Sequence, residues 1–154
     1  MLPKIILVAT DFSETSDKAL DYAIDFAKTV GATVTVVHAF QTPLYQLPVY
    51  GVPDPAALMA TQDLSKSLRT ASEEALARTC ESRGDRGVKI TSVLREGPAW
   101  EQINEVATEV GAGMIVIGTH GRKGLAHALL GSVSEKVVRT ATLPVLTIRG
   151  PHPS

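Results

Sequence analysis

The chain has 154 residues, of which 44% are hydrophobic and 20% charged, and its formal net charge is −1. This length suits one domain with one core, and the charge balance offers no general basic surface to a nucleic acid. The single cysteine, Cys80, excludes an internal disulfide and a multi-cysteine metal site. The sequence shows no leader pattern and no apolar run near the ~18 residues that a membrane span needs. We therefore expect one cytoplasmic domain over residues 1–150 with a short tail at 151–154, and neither nucleic acid nor membrane as a partner.

Short β-branched segments alternate with helical patterns along the chain. Three of the segments are nearly continuous apolar runs, which is typical of strands buried on both faces of a parallel sheet. Strand–helix alternation at this spacing favours right-handed crossovers and a doubly wound α/β sandwich. The five predicted strands are, in chain order, Lys4–Ala9, Thr33–Ala39, Val88–Leu94, Met114–Gly118 and Pro144–Ile148.

Four amphipathic helices are predicted between the strands, because apolar residues recur there at steps of three and four. Ser13 and Gly31 would cap the two ends of the first helix, whereas Pro98 and Gly111 would bracket the third. The second and longest helix would end near residues 84–87. The predicted apolar faces are, helix by helix, Leu20, Ala23, Ile24, Ala27 and Val30; Leu64, Leu68, Ala71, Ala75 and Leu76; Trp100, Ile103, Ala107 and Val110; and Val133, Val137, Val138 and Ala141.

The segment Gln41–Pro55 breaks this alternation, since it carries four of the nine prolines together with Tyr45, Tyr50 and Gly51. We interpret it as a surface loop that leads into the second helix, because proline and glycine interrupt regular structure. It is not a linker between domains, since the strands on both sides of it are needed for one sheet.

Ligands of open parallel sheets bind beyond the carboxyl ends of the strands, where the winding direction reverses. Thr10–Ser13 follows the first strand and Gly118–Gly124 follows the fourth, while Gly131 and Ser132 open the last helix. Glycines let backbone amides approach an anion and permit positive φ, and the start of a helix adds free N–H groups. Two cations in the glycine segment add positive charge. This combination predicts a phosphate-binding site.

The glycines could also be simple loop punctuation, with Ser132 acting only as an N-cap. Two commoner nucleotide signatures are absent from the sequence. No Gly-Lys-Ser/Thr triplet of a P-loop occurs, and Ala9-Thr10-Asp11-Phe12 occupies the turn in which a dinucleotide G-x-G-x-x-G would stand. A P-loop enzyme and a dehydrogenase are thereby excluded.

The glycine spacing resembles the nucleotide signature of the ATP-binding universal stress proteins, in the form Gly118-x2-Gly121-x9-Gly131-Ser132. The opening Ile6–Ser13, the strand end Val37–Ala39 and the closing Leu143–Leu146 are similar to that family as well. The resemblance implies an adenine nucleotide alpha hydrolase-like fold, with a five-stranded parallel sheet in the order 3-2-1-4-5 and helices on both faces. It also implies ATP over the ends of strands one and four, with Mg²⁺ or Mn²⁺ on the phosphates.

By the same resemblance, each part of ATP has expected contacts in this chain. Ala9 and Asp11 would line the adenosine half, and the backbone of Ala39 would read the adenine edge. The remaining expected residues surround the ribose and the phosphates, and they are Gly118, Thr119, His120, Gly121, Arg122, Lys123, Gly124, Gly131, Ser132, Val133 and Ser134.

No catalytic residue is evident from the sequence. Asp11 could bind a ribose hydroxyl or orient a metal-bound water, or it could form only an Asx-turn before the first helix. His38 lies in an apolar strand and is expected to be a packed histidine, while His120 is either a ligand or an exposed loop residue. Cys80 is expected to be a small buried hydrophobe. Without an evident base or water-positioning residue, we expect a binding site rather than a fast catalyst.

The last strand lies at a sheet edge in the implied order, and exposed apolar edges invite pairing with another chain. We expect a two-fold homodimer through antiparallel pairing of this strand, as the resemblance also implies. The favoured function is an ATP-dependent regulatory module of the stress response that acts through an unidentified signalling protein. A slow ATPase and a nucleotide-free interaction module are the alternatives. The residues of the expected dimer edge are Val145, Leu146, Thr147 and Ile148.

Overall fold

The computed structural model describes residues 1–42, 54–119 and 130–150. Within these ranges strands and helices alternate, as predicted, from the first strand to the last. The expected tail at 151–154 lies outside the described residues. The elements are β1 (Ile5–Ala9), α1 (Glu14–Val30), β2 (Thr33–Phe40), α2 (Pro55–Glu81), β3 (Ile90–Glu96), α3 (Ala99–Glu109), β4 (Met114–Gly118), α4 (Ser132–Thr140) and β5 (Val145–Ile148).

All five strands run parallel in one sheet of order β3-β2-β1-β4-β5, which confirms the expected topology. The central strand β1 pairs with β2 on one side, where Ala9 lies opposite Val37, and with β4 on the other, where Ala9 lies opposite Ile117. The chain winds outward from β1 to β3 and then crosses back to β4. The winding direction therefore reverses between β1 and β4, and their carboxyl ends form the crevice in which such sheets bind ligands.

Helices cover both faces of the sheet. α1 and α2 pack on the face that contains Ile6 and Val8, and α3 and α4 pack on the face that contains Leu7 and Ala9. The side chains of Ile6, Leu7 and Val8 are fully buried, because successive strand residues point to opposite faces and both faces are covered. This burial explains the continuous apolar run in the sequence.

α1 begins and ends where the sequence indicates. The Ser13 hydroxyl accepts a hydrogen bond from the Ser16 N–H at 3.2 Å and so caps the first turn. At the other end Gly31 has φ +71°, a left-handed conformation that glycine adopts without strain, and its N–H donates to the Ala27 carbonyl. The first turn of α1 is thereby fixed beside the crevice.

The apolar face predicted for α2 is only partly buried. Leu76 is 3% exposed but Leu64 is 43% exposed. The guanidinium of Arg69 lies over the ring of Phe40, the last residue of β2, and the Ser65 hydroxyl lies 3.5 Å from the carboxylate of Glu96, the last residue of β3. The middle of α2 therefore lies at the carboxyl ends of β2 and β3. Neither α2, the longest helix at 27 residues, nor any other helix in the described part of the chain could cross a membrane.

Two shorter elements also depart from the sequence prediction. On the apolar face predicted for α4 only Val137 is buried, while Val133 is 36% and Val138 44% exposed. Val138 is adjacent to Val137 and therefore points about 100° away from it. The strand β3 covers Ile90–Glu96, two residues later than predicted. Within the described residues it pairs only with β2, so its register is set by that neighbour, with Ile90 opposite Val34.

Two arginines after α2 bind a row of carboxylates on α1. Arg83 Nε donates to Asp21 at 2.8 Å, and Arg83 Nη2 lies 3.4 Å from Asp17 Oδ1. Arg86 bonds to Asp21 at 2.8 Å and to Asp25 at 2.5 Å. Burial alone would lower the pKa of Arg83, but the hydrogen bond and charge of Asp21, with the charge of Asp17, raise that pKa above its ordinary value. The network ties α1 to the end of α2.

Cys80 lies beside this network and is half-buried rather than fully buried as expected. Its side chain packs against the core between α1, α2 and the sheet. Burial raises the pKa of the Cys80 thiol, and the nearby charge of Arg83 only partly opposes that effect. The thiol therefore remains protonated at neutral pH and behaves as the small hydrophobe that the sequence suggests.

Candidate functional site

The crevice at the carboxyl ends of β1 and β4 brings together three of the segments expected to bind ATP. They are the turn after β1, the end of β4 with Thr119, and the start of α4. Five further residues of the expected site lie outside the described residues, and they are His120, Gly121, Arg122, Lys123 and Gly124. The predicted surface loop is described only at its ends.

The turn after β1 is held by its own polar side chains. The Asp11 carboxylate accepts a hydrogen bond from the Ser13 N–H at 3.0 Å, so it forms the Asx-turn that was one of its two expected roles. The Thr10 hydroxyl accepts from the Phe12 N–H at 3.0 Å and contacts the buried Ser16 hydroxyl at 3.1 Å. These bonds fix the turn at the start of α1 and leave Asp11 half-exposed beside the crevice.

Phe12 has φ +63°, an uncommon conformation for an aromatic residue. Its ring packs on His38, with ring centroids 4.3 Å apart. His38 Nδ1 lies 2.8 Å from the Thr10 carbonyl oxygen, which can only accept, so Nδ1 carries a proton. His38 is thus the packed histidine that was expected, and it braces the strained turn from β2. The sequence carries no signal for the conformation of Phe12.

The residues expected at the adenosine half lie at the ends of two adjacent central strands. Ala9 ends β1 and is 7% exposed, with its side chain in the core under α3 and α4. Ala39 is the penultimate residue of β2 and is half-buried. Asp11 follows Ala9 by two residues. The structure therefore brings these three positions to one side of the crevice, where Ala9 and Ala39 offer mainly backbone.

Gly118 ends β4 and packs against the first turn of α1. A Cβ at this position would lie 2.8 Å from Thr15 Cγ2 and 3.2 Å from the Thr15 carbonyl carbon. Gly150 meets the same residue, since its Cβ would lie 2.7 Å from Thr15 Oγ1. Thr15, which sequence reasoning missed, is therefore the reason that no side chain fits at Gly118. Neither Gly118 nor Gly131 uses the positive φ that glycine permits, and the φ of Gly131 is −63°.

Thr119, directly after β4, lies against Gly131, directly before α4. The Gly131 N–H donates to the Thr119 carbonyl, and a Cβ on Gly131 would lie 2.8 Å from that same oxygen. The buried Ser134 hydroxyl donates to the Gly131 carbonyl at 2.9 Å and reaches the Thr119 carbonyl at 3.5 Å. We call Thr119, Gly131 and Ser134 the loop base. Glycine is needed at 131 because two stretches of backbone meet there.

The start of α4 lies at this loop base and differs in one respect from the sequence expectation. Gly131, not Ser132, is the N-cap, and it makes no side-chain capping bond. The first N–H groups of a helix have no intrahelical partner, and a glycine cap has no oxygen with which to satisfy them. Ser132 and Val133 are exposed in this first turn. The backbone here can therefore bind an anion, aided by the helix dipole.

Few of the described side chains near the crevice could ligate a metal ion. No group of three or more His, Cys, Asp or Glu that could hold a metal ion occurs among residues 1–42, 54–119 and 130–150. The one carboxylate identified at the crevice, Asp11, already accepts the Ser13 N–H. These donors suit an ion that arrives on phosphate oxygens, with Asp11 or a water it orients nearby, and not a cation held by the described side chains.

The sheet order, the crevice and the loop base define a doubly wound α/β protein with its candidate site at the carboxyl ends of β1 and β4. Residues 3–149 match the model of the Universal stress protein family. The chain is 34% identical over 151 residues to Universal stress protein MJ0531 of Methanocaldococcus jannaschii, which covers 97% of this chain and 84% of that protein. The chain belongs to the universal stress protein family.

Solved structures of the family have the same fold. Protein MJ0577 of Methanocaldococcus jannaschii superposes with a TM-score of 0.83 at 26% identity, over 97% of this chain and 98% of that one. The universal stress protein from Archaeoglobus fulgidus in complex with dAMP superposes with a TM-score of 0.61 at 25% identity, over 94% and 95% of the two chains. At least one structural neighbour therefore binds an adenine nucleotide.

Proposed function

We propose that this protein is a cytoplasmic ATP-binding module that regulates a stress response through nucleotide occupancy. The observation that carries the proposal is the start of α4, where the N-cap is a glycine that makes no side-chain capping bond and Ser132 is exposed. This helix start lies at the reversal point of the sheet, where doubly wound proteins bind nucleotides. The adenine nucleotide held by the Archaeoglobus relative supports the same ligand class.

The bound nucleotide would span the crevice from β2 to α4. The backbone of Ala39 would contact the adenine, and Asp11 with the backbone at Ala9 would contact the ribose. Gly118, Thr119 and the glycine segment that follows would surround the phosphates, and Gly131, Ser132, Val133 and Ser134 would hold their outer end. Mg²⁺ or Mn²⁺ would neutralise phosphate charge, and the protein residues would orient the phosphate groups.

Binding rather than rapid turnover is the better fit to the described residues. Hydrolysis requires a group that positions a water in line with the outer phosphate. Asp11 is engaged in the turn after β1, and His38 donates inward to the Thr10 carbonyl. A slow ATPase is the second candidate, because exposed Ser132 and a phosphate-bound metal could still admit a water.

Dimerisation through β5 belongs to the same proposal. Within the described residues β5 has a strand neighbour on one side only, namely β4. An unpaired strand edge is a template for a second strand, and a second copy of this chain would pair through a two-fold axis. The paired residues would be Val145, Leu146, Thr147 and Ile148.

Two measurements test the function. Mass spectrometry of small molecules released from freshly purified, denatured protein should show ATP or another adenine nucleotide. Calorimetry on nucleotide-free protein should show binding of Mg-ATP, and phosphate release by the same preparation should stay within a few turnovers per hour. A protein that carries no nucleotide and gives no heat with Mg-ATP would be a nucleotide-free interaction module. Sustained phosphate release would instead establish the ATPase.

A further inference from the structure

Thr119 links the last residue of β5 directly to the loop base. Its N–H donates to the Ile148 carbonyl at 2.9 Å, and its own carbonyl accepts the Gly131 N–H. The Ser134 hydroxyl lies 3.5 Å from the same Thr119 carbonyl. Thr119 is 1% exposed, so it has little room to move independently of these partners. A displacement of β5 along or away from β4 therefore displaces the loop base.

Thr15 provides a second rigid connection among the same elements. Its methyl group occupies the space of a Cβ at Gly118, and its hydroxyl occupies the space of a Cβ at Gly150. Gly118 ends β4, and Gly150 follows β5 by two residues. Close packing of this kind transmits small displacements rather than absorbing them. The start of α1 and the ends of β4 and β5 must therefore move together.

The outer edge of β5 presents backbone groups that no described strand uses. The Pro144 carbonyl accepts the Ile115 N–H, and the Ile148 carbonyl accepts the Thr119 N–H, both at 2.9 Å. Because the direction of backbone groups alternates along a strand, the N–H and C=O groups of Val145 and Thr147 point away from β4. A second copy that pairs there would hold β5 from its other side and limit the motion of Ile148.

We propose that pairing of two copies at the β5 edge and nucleotide binding at the loop base strengthen each other through Thr119. This coupling rests on the proposed function, and it adds how the site is regulated. An ordered β5 fixes Thr119, so the loop base is already ordered when the nucleotide arrives and less conformational entropy is lost on binding. Linkage requires the reverse effect as well, so each of the two nucleotides bound by the dimer must tighten it by the same factor.

The test uses two proline variants of the full chain. Thr147→Pro removes an outward N–H of β5 without removing a bond to β4, because a proline is tolerated at the open side of an edge strand. Ser92→Pro is the matched control at the opposite edge. In β3 the Lys89 carbonyl accepts the Val34 N–H, so by alternation the N–H of the exposed Ser92 also points outward. Only the first variant touches the strand bonded to Thr119.

Calorimetry with Mg-ATP and sedimentation measure the two affinities. We expect Thr147→Pro to be monomeric and to bind Mg-ATP about tenfold more weakly than the wild type, within the usual range of coupling between sites. Ser92→Pro should match the wild type in both measurements. In the wild type, saturating Mg-ATP should lower the concentration at the midpoint of dimerisation by about 100-fold, because each of the two sites in the dimer contributes a factor of about ten.

Three outcomes would overturn the coupling and separate it from the proposed function. If Thr147→Pro is monomeric and binds Mg-ATP as the wild type does, the coupling is absent while nucleotide binding stands. The same holds if the wild type is a monomer at all concentrations, or if its dimerisation midpoint ignores Mg-ATP. If neither protein binds Mg-ATP, the proposed function itself fails. If Thr147→Pro does not fold, the wild type alone tests the coupling. Its affinity for Mg-ATP must then be higher at protein concentrations above the midpoint of dimerisation than below it, and equal affinities would overturn the coupling.

Discussion

A negative charge at position 132 should weaken nucleotide binding without lowering the stability of the fold. Ser132 is the first residue of α4 and is exposed, and the N-cap residue Gly131 makes no side-chain capping bond. Ser132→Asp places a carboxylate where we propose that phosphates bind. The same carboxylate lies at the positive end of the helix dipole, which it should stabilise. The two effects have opposite signs, so a variant that merely misfolds cannot imitate them.

The size of both effects follows from the position of the side chain. A carboxylate in the first turn should add about 0.3–1 kcal/mol to the free energy of unfolding of the nucleotide-free protein. In the complex it would stand about 4 Å from a phosphate oxygen held by the same turn, where two like charges repel by ~1 kcal/mol in water and ~4 kcal/mol at an effective dielectric constant of 20. The dissociation constant for Mg-ATP should therefore rise at least about fivefold, and by up to ~1,000-fold.

Ser132→Asn supplies the matched control, because it has nearly the same shape as Asp without the charge. Urea unfolding of the nucleotide-free proteins measures stability, and calorimetry at low and high salt measures affinity. Ser132→Asp should be at least as stable as Ser132→Asn and should bind Mg-ATP far more weakly, with the difference shrinking as salt rises. Equal affinities for the two variants would refute phosphate binding at the start of α4.

Three further predictions concern the scaffold around the site. Gly118→Ala should lower the free energy of unfolding by about 1–3 kcal/mol, because its Cβ would lie 2.8 Å from a side-chain carbon of α1; Gly84→Ala, which meets its nearest atom at 3.4 Å, should stay within about 0.5 kcal/mol in the same urea titration. Arg83→Ala should cost about 2 kcal/mol, since its side chain is 14% exposed and bonded to two carboxylates. Lys18→Ala removes only an exposed pair and should cost under about 0.5 kcal/mol. Cys80 should react with a thiol reagent more slowly in the folded protein than in urea at pH 8–9, because burial raises its pKa from 9.0. With the folded pKa raised, its contribution to stability is complete below pH 9 and declines as pH rises through the folded pKa; equal rates in the folded and unfolded protein would contradict this.

Local sequence signals predicted the elements that depend on their own residues. α1 is bounded by a serine that caps its first turn and a glycine in the left-handed conformation, and both act within four residues of their own position. The continuous apolar run of β1 indicated burial on both faces, and three of its residues are fully buried. The ends of β3 were predicted less accurately, because they depend on pairing with the neighbouring strand β2.

The same distinction between local and distant contacts applies to the candidate site. Sequence spacing placed glycines at 118 and 131 beside the crevice and indicated an anion site. It attributed Gly118 to backbone approach to an anion and Gly131 to the start of a helix. The structure adds that a Cβ at these positions would meet Thr15 and the Thr119 carbonyl. The sequence grouped Ser134 with Ser132 as phosphate contacts. In the structure the buried Ser134 hydroxyl donates to the Gly131 carbonyl, while Ser132 is exposed.

The sequence by itself determined the alternation of strands and helices, the burial of the central strands and the position of the glycines. These features follow from periodicity and capping, which act over a few residues. Only the tertiary structure decided why residue 118 must be glycine and how β5 is bonded to the loop base. Thr15 and Gly118 are about a hundred residues apart in the chain, and they meet because α1 packs across the end of β4. Contacts between such distant residues leave no local pattern, so no window of sequence reveals them.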